Sequence, residues 1–370
     1  MDKHDFTIIT AWYDVREKES HPLKDKTTDD HFCSMTTYFK SSQPFFAKPF
    51  PMVIFTEPRF ETLIKESRPQ ELHSITRFIF KDYEELPYYH LYDKFQENHH
   101  KHEVKNLDKT KFTPLYKFIV NQKPYFVKEV AQMNPFNTSR FAWMDLRLHS
   151  VYDMSMEHTI EAIQTIPSNK VKIMFQSYLH SSDIWDRFDF YSWTRGKVAA
   201  GFFAGEAKPL IEFAELCQKE LYEAVKAQMA PTDEMIFAFV TAHNNHLFQP
   251  YVGEYCDVLR NLLMTQNSGH LVLPFFYAAN GRENWSFVAD LAENILRGSL
   301  AGRFGISPGE LYTVIRCGFF AFFRLNQVEG SQRLFTKFQD FCETHPDFPY
   351  NETREEIFKI SQELGFLSIL

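Results

Sequence analysis

No stretch of this chain reaches the roughly 18 consecutive apolar residues that a membrane-spanning helix needs. The longest apolar candidate, CGFFAFF at 317–323, is far shorter. The start, MDKHDFTIITAWYDV, lacks the basic leader and apolar core of a secretory signal and runs straight into a strand pattern, so no leader is expected. No CxxC pair occurs. The five cysteines, Cys33, Cys217, Cys256, Cys317 and Cys342, are odd in number and scattered, and read as reduced thiols in a cytoplasmic protein. An excess of basic residues is also missing. The formal net charge is −8, which argues against duplex nucleic acid as a partner but leaves acidic small ligands open. No dinucleotide fingerprint appears, which excludes a Rossmann dehydrogenase, and no fixed-period repeat suggests a solenoid.

Aromatic residues are plentiful. The chain carries 39 phenylalanines in 370 residues, enough for a phenylalanine-rich core in one large domain or two smaller ones. Apolar segments and helical patterns alternate in the first half. FTIITAWY, PMVIFTE, ITRFIFKD, SRFAWMD and NKVKIMF read as strands, with helical patterns between them, such as PRFETLIKESR. That order implies a mixed, mainly parallel α/β sheet with crossover helices. The stretch TPLYKFIVNQKPYFVKEVAQ reads as a helix broken at Pro124. VAAGFFAGEAKPL reads as a glycine-punctuated turn leading into a long helix. PTDEMIFAFVTAH reads as a helix with Thr232 at its N-cap. His99, His100 and His102 read as a solvated run rather than a metal site. From about residue 257 every pattern is helical, and Ser307-Pro308-Gly309-Glu310 carries a capping box. Two regions are therefore expected, an α/β domain over 1–256 and a helical region over 257–370.

Four motifs carry candidate chemistry. In TIITAWYDVR a strand ends beside an aromatic, an acid and a base. Ligands of parallel sheets gather outside the carboxyl ends of strands. Thr10, Ala11, Tyr13, Asp14 and Arg16 are therefore candidates to line a nucleotide pocket. In AWMDLR a single acid, Asp145, closes an apolar strand, and Arg147 stands two places on. In GFFAG, Gly201 and Gly205 flank two phenylalanines and can admit a ligand close to the backbone. In PTDEMIF, Asp233 and Glu234 open a helix. The macrodipole alone favours acids there, and a catalytic base is the functional alternative.

The shared order of TAWYD, WMD, GFFAG, a helix-opening DE and FQPYVGEY resembles the bacterial HtrL/YibB-type family, the WlaTC/HtrL group. The likeness spans roughly residues 6–262. It implies a GT-A-like fold and transfer of a sugar from a nucleotide-sugar donor, most simply a UDP-sugar, to a glycan in surface-polysaccharide synthesis. It further implies that Asp145 meets a divalent cation, Mn²⁺ or Mg²⁺, with a downstream histidine, His246 or His243, completing the site. Lys123, Lys128 and Arg147 would neutralise phosphate. Gly201, Phe202 and Gly205 would wall the sugar subsite, and Asp233 or Glu234 would serve as base or acceptor-orienting group. The chain departs from the family pattern at Leu146-Arg147, at Ala199-Ala200 and at Met235, where the family has glutamine. Arg147 in place of a second acid bears most on the metal. A different class of reading is a non-catalytic, transferase-like scaffold whose helical tail docks or dimerises. A nucleotidyltransferase would need more acidic ligands than Asp145 offers.

Overall fold

The computed structural model describes residues 5–18, 42–102, 104, 105, 107, 112–146, 148, 156–193, 196–255, 258, 259, 261, 262, 269–300, 306–350 and 353–366. Arg147, the segment 19–41, Cys33 and Cys256 lie outside the described residues, as does the side chain of Arg16.

Seven strands form one sheet: β1 (Phe6–Trp12), β2 (Met52–Thr56), β3 (Thr76–Phe80), β4 (Arg140–Met144), β5 (Val171–Phe175), β6 (Val198–Glu206) and β7 (Phe248–Val252). Their spatial order is β3-β2-β1-β4-β6-β5-β7. β6 alone runs antiparallel to its neighbours. The sheet is thus mainly parallel, as the alternating pattern predicts, and both faces are covered. β1, β2, β5 and β6 are buried on nearly every residue.

Helices cross over between strands. Those that matter below are α1 (Glu61–Ser67), α2 (Tyr92–Lys101), α3 (Pro114–Val120), α4 (Lys123–Met133), α5 (Ala207–Lys226) and α6 (Asp233–His243). The break expected at Pro124 is real: α3 ends before Asn121, and Pro124 sits in the first turn of α4, where its missing N–H costs nothing. The expected turn at VAAGFFAGE is a correction. It is strand β6, and its glycines serve close strand packing. A methyl group at Gly205 would lie 2.8 Å from the Lys170 carbonyl oxygen.

After β7 the chain is helical: α7 (Gly269–Gly281), α8 (Trp285–Leu300), α9 (Pro308–Arg324), α10 (Val328–Thr344) and α11 (Thr353–Glu363). Ser307 caps α9 with the expected reciprocal box, its hydroxyl accepting from Glu310 N and its own N–H donating to Glu310 Oε2 at 2.8 Å. The apolar faces of these helices turn inward. Phe319, Phe322, Phe335, Phe338 and Phe341 are buried in the core that also contains the sheet. α8 lies against β7, where Asn294 donates to the Pro250 carbonyl at 3.2 Å and Asp290 pairs with Lys170 at 3.0 Å.

Candidate functional site

The sheet order fixes where a ligand can enter. From β1 the chain winds outward through β2 and β3, then returns to place β4 on the other side of β1. A crevice opens at such a switch point, outside the carboxyl ends of the two strands. Ile9 pairs with Trp143 in the last pair of this parallel register, and Asp145 follows β4 directly. Residues two apart share a face, so Ala11, Tyr13, Trp143 and Asp145 all look to the side covered by α4. The strand-end acid and Ala11, a small residue near the end of the β1 ladder, thus flank one opening.

Beneath that opening Asp145 meets a lysine. Lys123 Nζ lies 3.0 Å from Asp145 Oδ1 and 3.1 Å from Oδ2. The same ammonium is 2.7 Å from Asp233 Oδ2 and donates to the Ala200 carbonyl at 3.4 Å. Trp143 Nε1 donates to Asp145 Oδ1 at 2.7 Å. Lys123 and Asp233 are sealed, with side chains 9% and 8% exposed, whereas Asp145 remains 34% exposed. It is the member that faces the crevice. Burial alone would lower the Lys123 pKa, but Asp145 and Asp233 outweigh it and hold the ammonium well above an ordinary lysine. Burial pushes the Asp145 carboxyl up, against the pull of Lys123, and Asp233 adds to the rise.

Separate elements position each member. Lys123 opens α4, where the helix dipole disfavours a cation, so its two acids and not its own helix keep it charged there. Asp233 opens α6, where the dipole favours it. The turn leading to Asp233 is clamped by three side chains. Asn98 of α2 donates to Val225 and Met229 carbonyls at 2.8 and 3.2 Å. Lys117 donates to Ala230 at 2.6 Å, and Asn121 to Pro231 at 3.0 Å. An aromatic stack runs from the end of β1 to the acid. Tyr13 lies parallel to Phe126 at 6.2 Å, and Phe126 to Trp143 at 6.1 Å. Gly201 closes the back: its carbonyl accepts from Asp145 N at 2.9 Å, and a methyl there would sit 3.5 Å from Asp145 Oδ2.

Several predicted positions fall elsewhere. Thr10 belongs to β1 itself, points to the opposite face from Ala11 and is fully buried, so it lines no pocket. Asp14 is buried, its N–H donating to Glu57 Oε2 at 3.2 Å. Tyr13 keeps a buried hydroxyl with no partner among the described residues, and burial, with Glu57 adding, drives its pKa up. Phe202 is core, paired with Met144. Gly205 pairs with Phe141 at the amino end of β4, a strand's length from Gly201, so the two glycines do not flank one subsite. Lys128 pairs with Glu215 on the flank at 2.8 Å. Asp233 reaches the site, but as the buried partner of Lys123 and not as an open base. Glu234 is half-buried in the first turn of α6.

The metal expectation meets a physical obstacle. α6 runs from the crevice to the far edge of the sheet, and His243 and His246 stand at that far edge, before β7 begins. His246 therefore cannot share an ion with Asp145. Both Asp145 oxygens already accept from protein donors, one of them a lysine ammonium. Among the described residues no group of three or more His, Cys, Asp or Glu gathers to hold a metal. These residues do not fit a resident divalent cation.

One open cavity of about 810 Å³ lies near the amino ends of β2 and β3, between residues 43–47 and 65–73. Its one deeply buried cation, Arg68, is spent on the Phe46 and Phe50 carbonyls at 2.7 and 2.6 Å. It is a structural clamp, remote from Asp145.

Residues 4–264 match the HtrL_YibB family, described as a bacterial protein of unknown function. The chain belongs to that family. The match takes in all seven strands and every residue of the Lys123–Asp145–Asp233 cluster, and it ends before α7. The matched region thus holds the whole sheet, and the helices from α7 onward lie outside it. A search of the curated proteins found no match. No helix among the described residues is long and apolar enough to cross a membrane.

Sequence reasoning missed Trp143 as a ligand of Asp145 and missed the pairing of Lys123 with two acids. One signal was available: a lysine at the opening position of a helix, against the dipole, is a residue looking for an anion.

Proposed function

We propose that this chain is a glycosyltransferase that moves a sugar from a nucleotide-sugar, most simply a UDP-sugar, to a glycan acceptor in the cytoplasm, on a GT-A-like fold. One observation carries the reading: the carboxylate of Asp145 stands half-open at the β1/β4 switch point, and a buried lysine and a buried acid fix it there. A buried charge cluster is costly, and perturbed titratable groups at the carboxyl ends of parallel strands are candidates for a functional site. Asp145, the partly exposed member of the cluster, can accept from a sugar or ribose hydroxyl. Of the two acids that open α6, Glu234 is the candidate base, because Asp233 is sealed against Lys123.

The acceptor side is supported by the segment between β5 and β6, which emerges at the same edge. Arg187 grips Glu220 of α5 through two bonds of 2.8 and 3.0 Å, and Arg282 holds Asp183 at 2.8 Å. This pinned segment leaves Trp185 89% exposed, with Phe188 and Trp193 exposed near it in sequence. Flat aromatic faces held in water suit the apolar faces of sugar rings.

The test is thermal stability against nucleotides and nucleotide-sugars. A ligand at 100-fold over its Kd is expected to stabilise by about 2.7 kcal/mol. A shift with one class of nucleotide-sugar, lost in Asp145→Asn, is the expected result. No shift with any nucleotide would favour the scaffold reading instead.

A further inference from the structure

We infer that Lys123 is the resident cation of this site, its ammonium occupying the place between Asp145 and Asp233 that a divalent ion would otherwise take, so that the crevice binds its ligand without metal. The inference rests on the proposed transferase reading for the identity of the ligand, but not for the cation itself.

The geometry is that of a cation site filled from within. Three carboxylate oxygens from two separate elements converge on one Nζ at 2.7–3.1 Å, and a backbone carbonyl stands at 3.4 Å. A divalent ion takes the same kind of ligand set, carboxylate and carbonyl oxygens. An ammonium in a sealed pocket needs its counter-charges and has them: Asp233 is buried with it, and Asp145 closes the top. The cluster cannot be emptied by chelation, because its cation is covalently part of α4. The clamp by Asn98, Lys117 and Asn121 on the turn before Asp233 keeps the lower acid in place, so the pocket keeps its size whether or not a ligand is bound.

Removing the ammonium should turn the pocket into a metal site. In Lys123→Ala, Asp145 and Asp233 face a common void. Mn²⁺ alone is the probe, followed by electron paramagnetic resonance titration of the full chain. Wild type is expected to show no Mn²⁺ site tighter than about 1 mM, and Lys123→Ala to bind at least about tenfold more tightly, an effect abolished by adding Asp145→Asn. A wild-type site tighter than about 100 µM that Asp145→Asn removes would overturn the inference, and this arm needs no folded Lys123 variant. A folded Lys123→Ala that gains no Mn²⁺ affinity would overturn it equally. Ligand binding separates the two proposals. A nucleotide-sugar shift that survives EDTA supports both. A shift that requires Mn²⁺ upholds the transferase and sinks the resident lysine. A wild type without a Mn²⁺ site that also ignores every nucleotide upholds the lysine as cation and sinks the transferase.

Discussion

Lys123→Met should lower the unfolding free energy by about 3–5 kcal/mol near neutral pH, because it strands the sealed Asp233 carboxylate and leaves the partly exposed Asp145 without its counter-charge. A surface ion pair lost in the same way would cost no more than about 1 kcal/mol. The difference lies in exposure: Lys123 and Asp233 side chains are both below a tenth exposed. The pH dependence identifies the cause. Burial already raises the Asp145 carboxyl against the pull of Lys123, so without the ammonium Asp145 binds its proton more readily still in the folded chain than in the unfolded one. Stability of the variant relative to wild type therefore recovers as pH falls toward 5. In wild type the raised Lys123 pKa works in the other direction: its contribution is complete below the ordinary lysine pKa and fades only as pH rises through the higher folded value. Urea unfolding at several pH values reads both. A Lys123→Met defect of under about 1 kcal/mol, or one unchanged by pH, would mean that the cluster is not a buried charge network.

A second lysine should behave in the opposite way. Lys172 lies on β5 between Ala204 and Gln249 of the neighbouring strands, 4% exposed. Among the described residues no carboxylate pairs with it. Its Nζ sits 5.8 Å from the centre of the Tyr251 ring, and the Gln249 side-chain oxygen is buried without a partner among the described residues. Burial pushes its pKa down to about 7, with Arg297 of α8 adding to the effect. A depressed lysine pKa means that the unfolded chain binds the extra proton between about 7 and the ordinary value. Wild-type stability should therefore rise from pH 7 toward 10, and Lys117, pushed down to about 8, contributes in the same sense. Lys172→Met should add about 2–4 kcal/mol at pH 7 and flatten most of that rise. Denaturation curves of the two proteins at pH 7, 8 and 9 that run parallel would contradict this.

These two lysines mark how far the sequence could be read. Strands with one apolar run between turn signals, β1 to β5, were legible, as were the break at Pro124, the helix opening at Asp233 and the capping box at Ser307. β6 was not, because a strand buried on both faces shows no alternation and its glycines imitate a turn. β7 was hidden by Pro250. NKVKIMF was legible as a strand, but not the burial of every residue of β5, Lys172 included. At the site, Asp145 was legible as an acid closing a core strand. What it holds was not. Its partners stand on β4 itself, at the start of α4 and at the start of α6, brought together by tertiary packing that no local pattern encodes. His246 was assigned to Asp145 through the family resemblance, and the direction of α6 separates them.

The central claim is that Asp145 serves a nucleotide-sugar. It is tested most directly by release of nucleoside diphosphate when the full chain is incubated with the nucleotide-sugar that stabilises it, glycan acceptors and EDTA. The account predicts turnover in wild type and a loss of at least about 100-fold in Asp145→Asn, with the fold intact by circular dichroism. Undiminished release from folded Asp145→Asn, or a donor that binds without ever being consumed, would contradict it.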